Sequence, residues 1–374
     1  MNKPIRVLHV VLIMSRNGVP NFIMNYYRNI DRSKVQFDFA VHYNRKAEYN
    51  DEILKLGGKI HYIGSEKSFF TYFRNLKKVL KNNDYDAVHA HNNYYNLFVL
   101  LIAFISGVKV RVSHSHNSYN EVSPFRRFVK ILIKVLINLL ATKKLACSDL
   151  AAQWLYGKRQ WRKGKTKVIN NAIQTDLFKY DALTSSAKRA ELGVNKELVI
   201  GHVGNFVYLK NHEFIIDVYN EIYKKNQNTK LFLVGKGILK DKIVEKVYLL
   251  GLEKHVEFLG VRDDVDELMQ AFDVFLMPSI AEGLAFVLIE AQSCGLRCVA
   301  SDTLPKESNL TGLVNFVSLK ETSEKWAETI LLESKIQYSK EKANKVVSEA
   351  GYNIKNEAVK LENLYLKAVQ DTSR

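Results

Sequence analysis

From residue 5 to residue 170 the chain repeats one pattern, a short β-rich apolar run followed by a longer amphipathic stretch. The strand-like runs are IRVLHVVLI, VQFDFAVHY, GKIHYIG, YDAVHAH, VKVRVSHSH, KKLACS and TKVIN; helical periodicity fills the segments near 20–30, 48–56, 69–81, 94–105, 123–141 and 148–157. Parallel neighbours need a crossover, and a helix supplies it, so strand, helix, strand in succession predicts a parallel sheet covered on both faces. The pattern lapses into polar sequence between about Asn170 and Glu197 and restarts at LVIGHVGN. A chain of 374 residues suits two cores of ordinary size. The expected division is 1–175 and 197–352, joined by a connection over 176–196 and followed by a last helix over 353–374, which is expected to cross back to the first domain. Ligands of such sheets bind beyond the carboxyl ends of the strands.

At one such end the apolar rule is broken. DVFLMP reads as a buried strand, and PSIAEGLAFVLIEAQSCG after it puts Glu282 in a strand-to-helix loop and Glu290 about two turns into a helix beginning near Leu284. Glu290 is flanked by Phe286, Val287, Leu288, Ile289 and Ala291, and a carboxylate in so apolar a helix needs a partner. Gly283 lets a ligand approach the backbone, and the free amides of Gly283, Leu284, Ala285 and Phe286 suit an anion such as a diphosphate. On the residues alone, Glu282 is equally an N-terminal charge favoured by the helix dipole and Glu290 a solvated helix residue.

The string P-S-x-x-E-G-x-x-x-x-x-x-E-A-x-x-C-G resembles the signature of glycosyltransferase family four, retaining enzymes of the GT-B fold. That resemblance implies an α/β chain of two Rossmann-like domains facing across a cleft. It assigns Glu290 to the nucleotide ribose, Glu282 to the donor sugar and residues 283 to 286 to the diphosphate. In GHVGNFVYLKN it makes Lys210 the neutraliser of the diphosphate, with Asn205 standing where the family often has arginine. It brings Gly18, in MSRNGVPNF, towards diphosphate and acceptor, although Asn17 replaces the first of the family's two glycines. Val261 and Arg262 fall by the nucleobase, and the turn of Gly235 and Gly237 beside the sugar. It also implies a functional histidine in VRVSHSHNSYN: His116, nearer the loop, is preferred and His114 is the alternative, with a weaker claim for His89 and His91. Two histidine pairs without a carboxylate or cysteine nearby do not complete a metal set, and no metal is expected. Asp84 and Asp86, and Asp264 and Asp266, form DxD strings read as structural. The nucleotide sugar is a substrate, so no cofactor is expected.

Charge separates the two halves. The net charge is +16, yet residues 1–175 hold 29 Lys and Arg against 10 Asp and Glu, and residues 176–374 hold 26 against 29. The first half therefore calls for an anionic partner, a membrane surface or nucleic acid. No recognised nucleic-acid motif accompanies the charge, so no nucleic acid is expected. The segment PFRRFVKILIKVLINLLATKK has an apolar body with a basic margin, as an interfacial helix does; a sheet-packing helix with snorkelling lysines reads the same. Three cysteines make no disulfide framework, the sequence runs from Met1 directly into a strand, and the apolar run 97–105 is too short to span a bilayer. The expectation is a cytoplasmic enzyme, peripheral on the inner face of the plasma membrane. By the resemblance it moves a sugar, without metal, from a UDP-linked donor to a lipid-linked or glycan acceptor in bacterial capsule or exopolysaccharide assembly. A GT-B sugar-nucleotide epimerase and a basic nucleic-acid-binding protein are the alternatives.

Overall fold

The computed structural model describes residues 3–16, 18–64, 68–116, 124–282, 286–336 and 338–373. The chain forms two compact units: Met1–Ala172 together with Ile354–Arg374, and Ile173–Asn353.

In the first unit the strands are β1 (Ile5–Val11), β2 (Val35–Val41), β3 (Ile60–Tyr62), β4 (Ala87–Ala90), β5 (Val110–Ser115), β6 (Lys143–Ala146) and β7 (Lys167–Val168). Between them lie α1 (Gly18–Asn29), α2 (Asn50–Lys55), α3 (Phe69–Asn82), α4 (Asn96–Ile105), α5 (Pro124–Leu140), α6 (Asp149–Tyr156) and α7 (Lys158–Arg162). The sheet is parallel throughout, in the order β3-β2-β1-β4-β5-β6-β7. Leu8, Val10, Val88 and Ala90 pack on one face against Leu76 and Val99.

The second unit repeats the plan. Its strands are β8 (Leu198–Val203), β9 (Thr229–Val234), β10 (Val256–Gly260), β11 (Val274–Met277), β12 (Arg297–Ser301) and β13 (Val314–Val317), in the parallel order β10-β9-β8-β11-β12-β13. Its helices are α8 (Ala182–Glu191), α9 (His212–Lys225), α10 (Lys240–Leu249), α11 (Val265–Ala271), α12 (Phe286–Ser293), α13 (Ser323–Glu333) and α14 (Ala343–Val347). In each sheet the strand order reverses once, between β1 and β4 and between β8 and β11. Adjacent chains leave those strands towards opposite sides and open a crevice for ligands.

The polar stretch expected to be a connection contains a helix. Asp181 caps α8 by accepting from the Thr184 amide at 2.7 Å, and Ser185 and Lys188 are buried against α11 through polar bonds rather than apolar contacts. A helix held by hydrogen bonds has no apolar stripe to read. The last helix, α15 (Ile354–Ser373), belongs to the first unit; Glu362 accepts from the Asp31 amide at 3.0 Å and pairs with Lys34, and Tyr365 is fully buried.

Candidate functional site

In the second unit the loops at the carboxyl end of the sheet are locked to one another. Gly235 has φ +143°, and a Cβ there would lie 2.1 Å from the Gly204 carbonyl; one on Gly237 would lie 2.4 Å from that of Phe206. Only glycine lets the loops after β8 and β9 pack backbone to backbone. After β8 a short turn, Tyr208–Lys210, leads into Asn211, which is left-handed at φ +57°. The Asn211 side-chain amide donates to the Pro278 carbonyl at 3.2 Å, and the Ile280 amide to that of Leu209 at 2.8 Å. Ser301 and Thr303 hold the Ser279 carbonyl from the other side.

These bonds bring together two residues 72 positions apart. Lys210 Nζ meets Glu282 Oε1 at 2.5 Å, both side chains more than four-fifths buried. Lys210 thus sits in a turn before α9 rather than opening that helix. Phe286 begins α12 as described; Gly283, Leu284 and Ala285 lie outside the described residues. Glu290, between buried Ile289 and Ala291, is half-buried and makes no side-chain hydrogen bond or ion pair among the described residues. Burial, with Asp266 adding repulsion, raises its carboxyl to about 7. Asn205 and Val261 are exposed. Arg262 is committed locally, forked onto Asp264 at 2.6 and 2.7 Å and paired with Glu191, and those carboxylates raise its pKa. Asp264 also binds Lys188, and Asp86 accepts from the Arg6 amide, so both DxD strings contribute to internal bonding.

His202 went unnoticed in the sequence. It is buried beneath Gly204, with Nδ1 on the Leu276 carbonyl at 2.8 Å and Nε2 without a partner among the described residues. A histidine in a β-strand otherwise apolar was its one signal.

The first unit holds a different cluster at its own switch point. Parallel register sets His9 on β1 beside His89 on β4, and residues two apart share a sheet face, so His91, His114 and His116 fall on the same side. All five are buried. His9 Nδ1 lies 2.9 Å from His91 Nε2, and His91 Nδ1 lies 2.8 Å from His116 Nε2. A second run joins Tyr365 Oη, His89 and His114 at 2.5 and 3.2 Å. The Phe22 ring of α1 stands edge-on to His114 at 5.0 Å. Burial lowers His9 and His116 to about 3 and holds the other three well below the ordinary histidine range. His116 lines a cavity of about 310 Å³ with His91, His42, Asn92 and Tyr95; His114 does not. Gly18 opens α1 in this same unit, with open space where a Cβ would project.

The sequence treated the two histidine pairs separately when rejecting a metal set. Folding unites them with His9, and the triads His9, His89, His91 and His91, His114, His116 each bring one ring nitrogen per residue within 4.8 Å of the others.

On α5 the apolar face points outward. Phe128, Val129, Ile131, Leu132, Val135, Leu136 and Leu139 are all exposed, at helical spacing, while Lys130 and Lys134 lie over the rings of Tyr94 and Trp154. Among the described residues no helix is long and apolar enough to cross a membrane.

Two Rossmann-like parallel-sheet units with polar clusters at their switch points define a GT-B protein. Residues 16–177 match the model described as Glycosyltransferase Family 4 and residues 185–351 that described as Glycosyl transferases group 1; the chain belongs to this family of glycosyltransferases. EpsF of Bacillus subtilis (strain 168), named as a glycosyltransferase, is 36% identical over 368 residues, 96% of each chain. The Escherichia coli enzyme named UDP-Gal:alpha-D-GlcNAc-diphosphoundecaprenol alpha-1,3-galactosyltransferase is 25% identical over 398 residues, covering 98% of this chain and 97% of its own. A crystal structure of Anabaena HepE in complex with UDP and glucose superposes with a TM-score of 0.73 at 20% identity, over 98% of this chain and 99% of that one, a likeness of fold.

Proposed function

We propose that this glycosyltransferase moves a sugar, with retention, from a UDP-linked donor held by the second unit to a lipid-linked or glycan acceptor held by the first, in the assembly of a bacterial capsule or exopolysaccharide. The observation that carries the reading is the Lys210–Glu282 pair, stapled at the carboxyl edge of the sheet beside the helix that bears Glu290. Lys210 and the amides of residues 283 to 286 would take the charge of the departing diphosphate, electrostatic stabilisation that needs no metal. Glu282 would exchange Lys210 for the donor sugar, Glu290 would accept from the ribose hydroxyls, and Asn205, Val261 and Arg262 would border the nucleotide. His116 and Gly18 would serve the reacting centre from the first unit. As the sugar carbon leaves the phosphate oxygen, the acceptor oxygen bonds to it from the same side and its proton passes to a phosphate oxygen. A lipid-linked acceptor is supported by the name of the Escherichia coli relative and by the basic first unit. The outward apolar face of α5 would rest on an anionic membrane, making the enzyme peripheral on the inner face of the plasma membrane.

The test is binding and slow hydrolysis of UDP-, GDP- and ADP-sugars, with and without EDTA, by the wild type and Glu290→Ala. Selective UDP-sugar binding that survives EDTA and is lost in the variant is expected. Binding abolished by EDTA overturns the metal-free mechanism, and binding unchanged in Glu290→Ala overturns the assignment of the ribose site.

A further inference from the structure

The five buried histidines are too ordered to be filler, and one of their two chains has a direction. A neutral imidazole carries one N–H and one lone pair, so each link needs one donor and one acceptor. In the run His9, His91, His116 the links join Nδ1 of one ring to Nε2 of the next. Two protonation patterns satisfy both links. If protons point inward, every ring is protonated on Nε2, and the chain ends in a His9 Nε2–H buried without a partner. If they point outward, every ring is protonated on Nδ1, and the chain ends in a bare His9 lone pair. His9 Nε2 has no partner among the described residues, and its ring lies 4.1 Å from that of Phe37. Unpaired buried N–H groups are rarer than unpaired buried acceptors, so the outward pattern is preferred.

The consequence falls on the cavity. His116 Nε2 is taken by His91, which leaves Nδ1 as the ring nitrogen available to what the cavity holds. We propose that His9 and His91 are positioning residues that lock His116 as its Nδ1–H tautomer, so that it offers a hydrogen-bond donor, not a base, to a substrate oxygen. The proposal rests on the reading that substrate reaches His116. A relay of protons is a poorer account, because among the described residues no hydrogen-bond partner meets His9 Nε2 to receive one. Burial keeps all three rings neutral at physiological pH, which removes the doubly protonated form that would break the chain.

The test is 15N NMR of histidine-labelled full-length protein without ligand, beside the variants His9→Gln and His9→Met. The His116 Nδ1 is expected to give a protonated, pyrrole-type signal and its Nε2 a pyridine-type one. Gln keeps an N–H donor towards His91 and should preserve that pattern. Met presents only an acceptor to His91 Nε2 and should reverse the chain, converting His116 to the Nε2–H form, with kcat falling by about tenfold or more and the donor KM unchanged. A pyridine-type Nδ1 in the wild type overturns the proposal, as does His9→Met leaving the signals unmoved. Stoichiometric zinc uptake that shifts the His91 nitrogens also overturns it, since lone pairs bound to metal cannot accept from a neighbour. Should a variant not fold, the wild-type spectrum still decides the tautomer. Because the signals are read without substrate, they stand apart from turnover: absence of transfer with the predicted tautomer present would reject the transferase chemistry and leave the lock intact.

Discussion

The two units repeat one fold but use its switch point in opposite ways. Between β8 and β11 the polar groups are ionic, Lys210 against Glu282, with Glu290, unpaired among the described residues, in the helix that follows β11. Between β1 and β4 they are neutral imidazoles, bonded to one another and stripped of charge by burial. One arrangement sets opposite charges against each other. The other is built to hold a fixed pattern of donors and acceptors. A parallel sheet supplies the crevice, and the residues at its edge decide whether it stabilises charge or merely orients hydrogen bonds.

The sharpest way to break that contrast is to remove the cation. Lys210→Ala should lower kcat/KM for the donor by about 10²–10³, the range found when a group that stabilises developing charge is deleted. Glu282→Gln should cost less, about tenfold, and should not weaken binding of UDP itself, because Lys210 is released for the phosphates. Steady-state kinetics and calorimetric titration with UDP check both. Equal losses in the two variants would show that the pair serves only to hold the loops.

What was legible in the sequence follows the same division. The alternation of strands and helices yields the fold class because each period reports directly which face is buried. Glu282 and Glu290 could be read because they lie in one loop and helix, and Lys210 through its motif, but the 2.5 Å contact of Lys210 with Glu282 depends on bonds from Asn211 and Ile280 that span the unit. The histidine cluster was legible only as two pairs. His9 sits in IRVLHVV, where a single polar residue in a buried strand is a weak signal, and only parallel register sets it beside His89. Tyr365 comes from the far end of the chain, and no spacing rule connects it to β4. Helix α8 was missed because its buried face is polar.

A smaller effect separates the charged from the neutral cluster by pH. Glu290 titrates near 7 in the folded chain, above its ordinary value of 4.5. The folded state therefore disfavours ionisation, and that cost is fully present above pH 7, fades as pH falls through 7, and is absent below 4.5. For a half-buried group it amounts to about 2 kcal/mol. Glu290→Gln should raise Tm relative to the wild type at pH 8, and the advantage should shrink towards pH 5 in scanning calorimetry. An advantage of the same size at both values would mean that packing, not ionisation, is what the substitution changes.

The smallest effect tests whether the asymmetry extends to the surface. The first unit carries the net excess of positive charge, and on α5 it turns Leu132 and Leu136 outward, about half exposed. Burying two leucines in a membrane interface is worth a few kcal/mol at most, because they stay partly covered by the helix and the interface is only partly dry. Leu132→Glu with Leu136→Glu should weaken binding to phosphatidylglycerol vesicles by about tenfold, and added salt should weaken the wild type as well, since basic residues share the attraction. The control belongs in the second unit: Leu249 on α10 is 75% exposed, but residues 176–374 as a whole hold 26 Lys and Arg against 29 Asp and Glu. Leu249→Glu should leave vesicle binding unchanged in cosedimentation. If it weakens binding as much as the α5 pair does, exposed apolar surface alone accounts for adsorption, and the division of labour between the units ends at their switch points.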